Sequence, residues 1–284
     1  MKRCDTLSYF RLYLALCLRD KKAPLVQRPV MTVSIVTWNI NSVRLRLPMV
    51  LDFIAQYHPD VLMLQEIKCT NDQFPAKAFA EAGYPHQAVH GQKGYHGVAI
   101  VSKFPLTDVS SRVFCDIPES RHVSALTDFG HGPVTLHDFY IPAGGDEPDP
   151  AINPKFKHKL GFLSELTSWF NEPIFQRGHL IAGDFNIAPH ENDVWSHKQL
   201  LKIVSHTPVE TEALDALLNG GHGWVDLVRK HYPYDQKLYS WWSYRSANWE
   251  LANKGRRLDH IWSTPDIAAH CIGAEIIKPA RGWT

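Results

Sequence analysis

Short apolar runs alternate with amphipathic stretches along the chain from Met31 onward. The first run is rich in β-branched residues and predicts a strand over Val33–Trp38. Pro48 then opens a predicted helix that continues to about Tyr57 and carries its apolar residues on one face. A second buried strand is predicted at Val61–Leu64. Strands followed by helices in this order indicate an α/β fold.

The middle and last thirds of the chain repeat these signals. Further strands are predicted at residues 98–101, 124–127, 134–140 and 180–182, and helices at residues 74–82, 156–170 and 211–218. Several of the strands follow one another closely, as the strands of hairpins do. The pattern as a whole predicts an α/β sandwich in which two packed sheets carry helices on their outer faces.

The first 30 residues differ from this pattern. The apolar stretch Leu7–Leu18 contains Arg11, and a charged run follows it. The stretch lacks the uninterrupted apolar region and the small-residue cleavage site of a signal peptide. We therefore expect residues 1–30 to form an extension outside the domain, and residues 31–284 to form the domain. An amphipathic helix docked on the domain surface is the alternative.

Composition narrows the class of protein. With 284 residues, of which 44% are hydrophobic, the chain can bury a large core. A formal net charge of +1 neither requires nor excludes a nucleic-acid partner, because a nuclease needs only one basic face. The five cysteines are scattered without metal-type spacing, which indicates a reducing compartment such as the cytoplasm. No apolar run approaches the length of about 20 residues that a membrane span needs.

Acidic and amide side chains follow the ends of four predicted strands, at Asn39, at Glu66, at Asp184 with Asn186, and at Asp259. Strand ends of a folded sheet meet at one rim, where such folds carry their sites. Asp184 and Asn186 are two residues apart and are expected to point to the same side, where they would activate water beside a phosphate oxygen. The alternative for this pair is an Asx turn that closes the strand.

Seven motifs resemble the exonuclease III branch of the apurinic/apyrimidinic endonucleases, in the endonuclease/exonuclease/phosphatase superfamily. They follow the family's order from Met31 to the end of the chain. The motifs are Thr37-Trp38-Asn39-Ile40-Asn41, Leu64-Gln65-Glu66-Ile67-Lys68, His90-Gly91-Gln92-Lys93-Gly94, Tyr140-Ile141-Pro142, Gly183-Asp184-Phe185-Asn186, Ser240-Trp241-Trp242-Ser243-Tyr244-Arg245 and Arg257-Leu258-Asp259. The resemblance implies a four-layer α/β sandwich of two mixed sheets flanked by helices.

The activity that the resemblance implies is hydrolysis of phosphodiesters in duplex DNA with Mg²⁺ or Mn²⁺, by a monomer. The family cleaves 5′ to abasic sites and removes nucleotides from 3′ ends. By residue, Glu66 with help from Asn39 matches the metal site, and Asp184 matches the residue that positions or deprotonates the attacking water. Asn186 matches a phosphate-binding amide, and Tyr140 matches a tyrosine beside the scissile phosphate.

The remaining matches concern the catalytic surroundings and the DNA. Asp259 resembles the acid that orients the neighbourhood of the family's catalytic histidine. Arg44, Lys68 and Lys93 lie in matching loops and are expected to bind phosphates. Trp241 matches an aromatic side chain that packs on the abasic sugar after the nucleotide has flipped outward. A second possibility for Trp241 is an ordinary core aromatic.

Two departures from the family pattern accompany the resemblance. Ala143 stands where many relatives carry a glutamine or asparagine. The chain ends at Thr284, where relatives are about to enter the Ser-Asp-His stretch that supplies the catalytic histidine, and the final strand. His260 directly follows Asp259 and is expected to face away from the site, so it should not substitute. We therefore expect impaired hydrolysis.

Two other functions remain open at this stage. A DNA-binding remnant without catalysis would bind duplex DNA in a salt-dependent manner without turnover. A phosphatase of the same superfamily, acting on a small phosphorylated substrate or a lipid head group, would need basic or apolar insertions. The sequence contains no such insertions.

Overall fold

The computed structural model describes residues 9–17, 30–130, 132–243 and 248–278. The strands are β1 (Tyr9–Cys17), β2 (Val30–Asn39), β3 (Val61–Gln65), β4 (His86–His90), β5 (Val98–Ser102), β6 (Thr107–Ser110), β7 (His122–Asp128), β8 (Pro133–Tyr140), β9 (His179–Asp184), β10 (Val225–Asp226), β11 (Trp241–Trp242), β12 (Gly255–Arg256), β13 (Asp259–Ser263) and β14 (Cys271–Ile276). The helices are α1 (Leu47–Tyr57), α2 (Ala76–Glu81), α3 (Pro154–Phe170), α4 (His197–Leu200), α5 (Pro208–Asn219), α6 (Trp249–Ala252) and α7 (Pro265–Ala268).

Three features of the sequence analysis fall outside these residues. They are the motif positions Tyr244 and Arg245 and the end of the chain beyond Lys278. Among the helices just given, none combines the length and the apolar character that crossing a membrane requires.

Twelve strands form two six-stranded sheets. The first sheet has the order β14-β1-β2-β3-β5-β4, and the second has the order β10-β13-β9-β8-β7-β6. The pairs β2–β3 and β8–β9 are parallel, whereas their neighbours pair antiparallel, so both sheets are mixed. Strands β11 and β12 form a separate two-stranded ladder. The predicted α/β sandwich of two mixed sheets is confirmed.

Alternating side chains on the strands produce the four layers. In β2, Val33 and Ile35 enter the core between the two sheets, whereas Val36 and Trp38 pack on the outer face beneath Phe53 of α1. The second sheet also has an outer face covered by a helix. The buried residues of α3 pack there against apolar side chains of β8 and β9. Successive residues of a strand point to opposite faces, so one apolar run serves two cores.

Strand β1 corrects the expectation that residues 1–30 lie outside the domain. Its nine residues, Tyr9 to Cys17, pair with Trp38 to Val30 of β2, and its other edge pairs with β14. Interior strands of a covered sheet commonly have nearly continuous apolar sequences without alternation, and such a run is easily mistaken for a detached hydrophobic segment. Residues 1–8 and 18–29 lie outside the described residues.

A chain of three histidines crosses the second sheet. The amide of Arg112 donates to Nδ1 of His122 at 3.1 Å, so the proton of that ring sits on Nε2. Nε2 of His122 then donates to Nδ1 of His137 at 3.1 Å, and Nε2 of His137 donates to Nδ1 of His179 at 3.0 Å. The direction of the first bond therefore assigns the neutral Nε2–H tautomer along the whole chain.

This histidine chain predicts acid-sensitive stability. Burial lowers the pKa of His122 to about 3, with His90 and Arg112 adding to the effect, and burial likewise holds the pKa of His137 well below its ordinary value. Below pH ~6.5 the unfolded chain then binds more protons than the folded chain, so stability is complete above that pH and falls on acidification. Each such histidine should remove about 1.4 kcal/mol per pH unit well below its unfolded pKa.

Urea unfolding between pH 8 and pH 5 measures this loss. His137→Gln keeps one donor and one acceptor but takes up no proton, so its free energy of unfolding should fall less steeply with acidification. Equal slopes for His137→Gln and the parent chain would contradict the prediction.

Candidate active site

Five polar residues from both sheets meet at one rim of the sandwich. Asn39 ends β2 and Glu66 follows β3, while Tyr140 ends β8 and Asp184 ends β9. Asp184 lies beside Tyr140 on the parallel side of β9 and opposite Asp259 on the antiparallel side. The rim thus collects the residues that the sequence placed together, with one correction. Asp259 does not follow a strand but begins β13, and it reaches the same rim because β13 runs antiparallel to β9.

The Asn39 side chain connects the two sheets. Its Nδ2 donates to Oε1 of Glu66 at 2.8 Å and to Oδ2 of Asp184 at 2.9 Å, and its Oδ1 accepts from the amide of Asn41 at 3.1 Å. The two hydrogens of one Asn39 amide nitrogen therefore hold two carboxylates that are distant in the sequence.

The end of β9 adopts the Asx turn, one of the two arrangements that the sequence left open. The strand does not stop at Gly183, because a Cβ there would stand 1.9 Å from the carbonyl oxygen of Phe139, and only glycine lets β8 approach so closely. Asp184 Oδ1 accepts from the amide of Asn186 at 2.9 Å, which is an Asx turn, while Oδ2 faces Asn39. Asn186, with φ of 55°, donates from Nδ2 to the carbonyl of Ile141 at 2.9 Å. The predicted same-side alternation is replaced by this turn.

Ser240 holds Asp259 in place and was not found from the sequence. Its hydroxyl donates to Oδ2 of Asp259 at 2.7 Å and accepts from the amides of Leu258 and Asp259 at 3.0 and 3.1 Å. A serine next to two tryptophans gives no sequence signal for this bond. His260 faces the opposite way, as expected, and its Nε2 donates to the carbonyl of Ile187 at 2.8 Å within the core.

Burial raises the pKa of three site residues. The pKa of Asp184 rises to about 7, with the charge of Glu66 adding to burial and the Asn39 hydrogen bond opposing it. Burial and then Asp184 raise the pKa of Asp259 well above its usual range. Burial and the nearby carboxylates also raise the pKa of Tyr140, so its phenol stays protonated and remains a donor.

The pKa of Glu66 moves the other way. Burial alone would raise it, but the Lys68 ammonium and hydrogen bonds from Asn39, Lys68 and Tyr140 outweigh burial and lower the pKa. Glu66 is therefore a carboxylate at neutral pH. Its backbone has φ of 51°, a conformation that costs a non-glycine residue free energy and is held here by the surrounding bonds.

The Lys68 side chain is half-buried and lies beside Glu66. Its Nζ lies 2.8 Å from Oε2 of Glu66 and also bonds Oδ1 of Asn41. The chain reverses here because Glu66 and Lys68 both have positive φ and the Lys68 amide donates to the carbonyl of His96 at 2.9 Å. Lys68 is thus the charge partner of Glu66, and its contact with a DNA phosphate stays a prediction.

The other predicted DNA-contacting residues surround the rim. Arg44 and Lys93 are exposed on the loops after β2 and β4. Trp241 is half-buried, packs against the cluster that contains Leu258, and carries the guanidinium of Arg256 5.8 Å from its ring centre. One side of the ring is therefore packed, as in a core aromatic, and contact with an abasic sugar stays a prediction.

A cluster beside Tyr140 was also missed from the sequence. Nε2 of His96 lies 3.4 Å from Oε1 of Glu119 and 3.4 Å from Nη2 of Arg121. Arg121 also donates to the carbonyl of Tyr140 at 3.2 Å, and its guanidinium lies 5.0 Å from the centre of the tyrosine ring. The motif His90-Gly91-Gln92-Lys93-Gly94 ends before His96, and Glu119 and Arg121 come from a loop without any motif.

The donor set fits a hard divalent cation. Burial, with the nearby carboxylates adding to it, raises the pKa of Asp184 and Asp259, and a cation at the rim would favour their charged forms. Across the described parts of the chain, no three His, Cys, Asp or Glu side chains converge as an all-protein metal site. One carboxylate with water oxygens is an arrangement that Mg²⁺ tolerates well, so Glu66 fits such an ion. Asn39 would offer it only Oδ1, because its Nδ2 donates to Glu66 and Asp184.

Comparisons with known proteins agree with this geometry. Residues 36–283 match the family described as Endonuclease/Exonuclease/phosphatase family. Exodeoxyribonuclease III of Haemophilus influenzae is 30% identical over 262 residues, which cover 87% of this chain and 93% of that protein.

Two solved structures are similar along most of their length. A 3′-5′ exonuclease from Neisseria meningitidis superposes with a TM-score of 0.73 at 34% identity, covering 83% of this chain and 88% of the other. An AP endonuclease from Archaeoglobus fulgidus superposes with a TM-score of 0.76 at 31% identity, covering 85% and 90%.

Proposed function

The chain belongs to the Endonuclease/Exonuclease/phosphatase family, and on this premise we propose that it cleaves phosphodiester bonds of duplex DNA at abasic sites and 3′ ends. The resemblance to the exonuclease III branch is confirmed, and the protein is a DNA-repair nuclease of the exonuclease and AP endonuclease type. The substrate details and the residue roles given below belong to the proposal.

The observation that carries the proposal is that Asn39 bridges Glu66 and Asp184, while Tyr140 and Asp259 flank Asp184 on β8 and β13. An ionised carboxylate, a carboxyl group with a pKa of about 7 and a protonated phenol lie within one small site. Phosphodiester hydrolysis needs a proton acceptor for the attacking water and donors for the charge that develops on the phosphate oxygens.

In this proposal Asp184 accepts the proton of the attacking water, since a raised pKa makes a carboxylate a better base near neutral pH. Tyr140 donates a hydrogen bond to a phosphate oxygen, and Asn186 offers its second Nδ2 hydrogen to another. Asp259, fixed by Ser240, maintains the electrostatic setting of Asp184.

The family is divalent-metal dependent in general, and we propose Mg²⁺, with Mn²⁺ as a substitute, held by Glu66 and Asn39. Such an ion supplies neutralisation of the phosphate charge. It would compete with the Lys68 ammonium for the Glu66 carboxylate, so Lys68 would be released toward the substrate only when the ion is bound.

The DNA would lie across the rim. Arg44 and Lys93 are placed to contact the phosphate backbone, which gives position without sequence reading. The exposed side of Trp241 is available to an extrahelical sugar. Cys69, Cys115 and Cys271 are free thiols, which supports a reducing compartment. The cytoplasmic location and the monomeric state stay predictions.

Duplex oligonucleotides test the proposal. One carries a single abasic site, one has a recessed 3′ end, and an undamaged blunt duplex serves as the control. The full chain should cut 5′ to the abasic site and shorten the recessed end in Mg²⁺, and excess EDTA should stop both reactions.

Two outcomes would overturn the proposal. Salt-dependent binding of the duplexes without turnover in either metal would make the chain a DNA-binding protein. Hydrolysis of inositol phosphates without cleavage of DNA would make it a phosphatase for small substrates.

A further inference from the structure

A fully buried lysine stands behind the active-site loops, and neither the motifs nor the proposed chemistry uses it. Lys159 lies in α3, and its side chain is 0% exposed, as is that of its partner Glu210 in α5. Replacing a buried ion pair by apolar residues is often neutral or stabilising, so a buried pair is weak evidence for a purely stabilising role. Its neighbours indicate another use.

The Lys159 ammonium has three N–H donors, and three acceptors surround it. Nζ donates to Oε1 of Glu210 at 2.5 Å, to the carbonyl of Asn186 at 2.9 Å and to the carbonyl of Ala143 at 3.3 Å. A neutral amine has only two N–H groups, so this arrangement calls for the charged form. Two of the acceptors belong to the loops that carry Tyr140 and Asp184.

Glu210 is itself fixed on its far side. Its carboxylate accepts from the amide of Ser205 at 3.0 Å, and from the amide and the hydroxyl of Thr207 at 3.2 and 2.6 Å. The bonds with Thr207 form the capping box of α5. The ammonium is therefore anchored to a capped helix end, which allows it to fix the two loops in place.

The loop after β8 is shaped to admit the lysine. Gly144 has φ of +90°, and a Cβ at that position would stand 3.0 Å from Cδ of Lys159. The two loops also bond each other directly, through Asn186 Nδ2 and the carbonyl of Ile141 at 2.9 Å. Lys159 thus closes a ring of bonds in which both loops are held against each other and against α5.

We propose that Lys159, anchored by Glu210, is a positioning residue that sets the relative placement of Tyr140 and Asp184 for the nuclease reaction. It acts through the Asn186 and Ala143 carbonyls and does not touch the substrate. This inference rests on the proposed function, since it assigns a role within the same site. Its consequence is that removing the pair should disorder the loops more than it weakens the fold.

The main test compares Lys159→Met/Glu210→Gln with Leu166→Ala. The double variant removes both buried charges and leaves an amide oxygen at position 210 that can still accept from Thr207, whereas Leu166→Ala leaves a cavity elsewhere along α3. Because misplacing reacting groups by about 1 Å can lower a rate 10²-fold, kcat of the double variant should fall by about 10²-fold, with KM within about threefold. Leu166→Ala should keep kcat while lowering the melting temperature.

Amide hydrogen exchange provides a reading that does not depend on catalysis. In the double variant, exchange should accelerate in peptides covering residues 140–146 and 184–190, and it should stay unchanged in β3 and β5. If the parent chain cleaves no DNA, the proposed function fails, yet this measurement still decides the positioning role. Unchanged exchange in both loops, or a kcat no lower than that of Leu166→Ala, would overturn the inference.

Discussion

Glu66→Gln is expected to lower kcat/KM for cleavage of abasic duplex DNA by about 10³-fold, in line with the loss of one central electrostatic group in a catalytic site. Glutamine keeps the shape of the side chain and can still accept from Asn39. It removes the negative charge that makes Glu66 the ionised carboxylate of the site. In the parent chain the Lys68 ammonium lies 2.8 Å from a Glu66 carboxylate oxygen, and the substitution leaves this ammonium without its charge partner.

Steady-state assays at several Mg²⁺ concentrations measure this effect. The metal concentration for half-maximal activity should rise in Glu66→Gln, because a carboxylate binds a hard cation far better than an amide does. Glu81→Gln is a matched control, since it makes the same chemical change on an exposed side chain of α2. Retention of more than a tenth of the parent activity by Glu66→Gln would remove Glu66 from the metal site.

The sequence was sufficient to predict the strand ends that build this site. Asn39, Glu66, Asp184 and Asp259 each follow or begin a short apolar run, and parallel strand pairs bring such positions to one edge. What the sequence left undetermined is how the side chains pair. The bridging of Glu66 and Asp184 by Asn39 depends on two sheets facing each other, which local patterns do not encode.

Local backbone conformation explains the side-chain pairs that the sequence did not reveal. The left-handed residues Glu66 and Lys68 fold the chain back so that their two side chains meet, while the phosphate contact of Lys68 stays a prediction. For Asn186 the sequence left strand alternation and an Asx turn open, and its positive φ goes with the Asx turn. Positive φ at a non-glycine residue has almost no sequence signature, because its cost is offset by tertiary bonds.

The buried supports of the site were the least predictable part. Lys159, Glu210 and Ser240 occupy positions where a lysine, a glutamate and a serine ordinarily face solvent. Their burial follows from the packing of α3 and α5 on the second sheet and from the bonds that satisfy each charge. Sequence periodicity places helices but does not reveal that one polar residue points inward to a loop carbonyl.

The largest disagreement between sequence and structure, strand β1, leads to the largest expected change in stability. A chain that starts at Met31 should lose most of its free energy of unfolding, which for domains is typically about 5–15 kcal/mol. The removal of β1 would leave β2 without a partner along nine residues. It would also leave β14 without its sheet neighbour, since β1 stands between β14 and β2 in the sheet order. Unpaired strand edges of this length favour aggregation.

Two further chains make the test specific. A chain that starts at Tyr9 keeps the strand and should unfold in urea close to the parent chain. Leu12→Pro should resemble the full deletion, because Leu12 is paired with Ile35 on one side and Ala274 on the other, and proline interrupts ladders in a sheet interior. Circular dichroism and urea unfolding of the three chains measure the effect. If the chain starting at Met31 unfolded at the same urea concentration as the parent, β1 would be dispensable, and the domain would begin at Met31 as the sequence alone indicated.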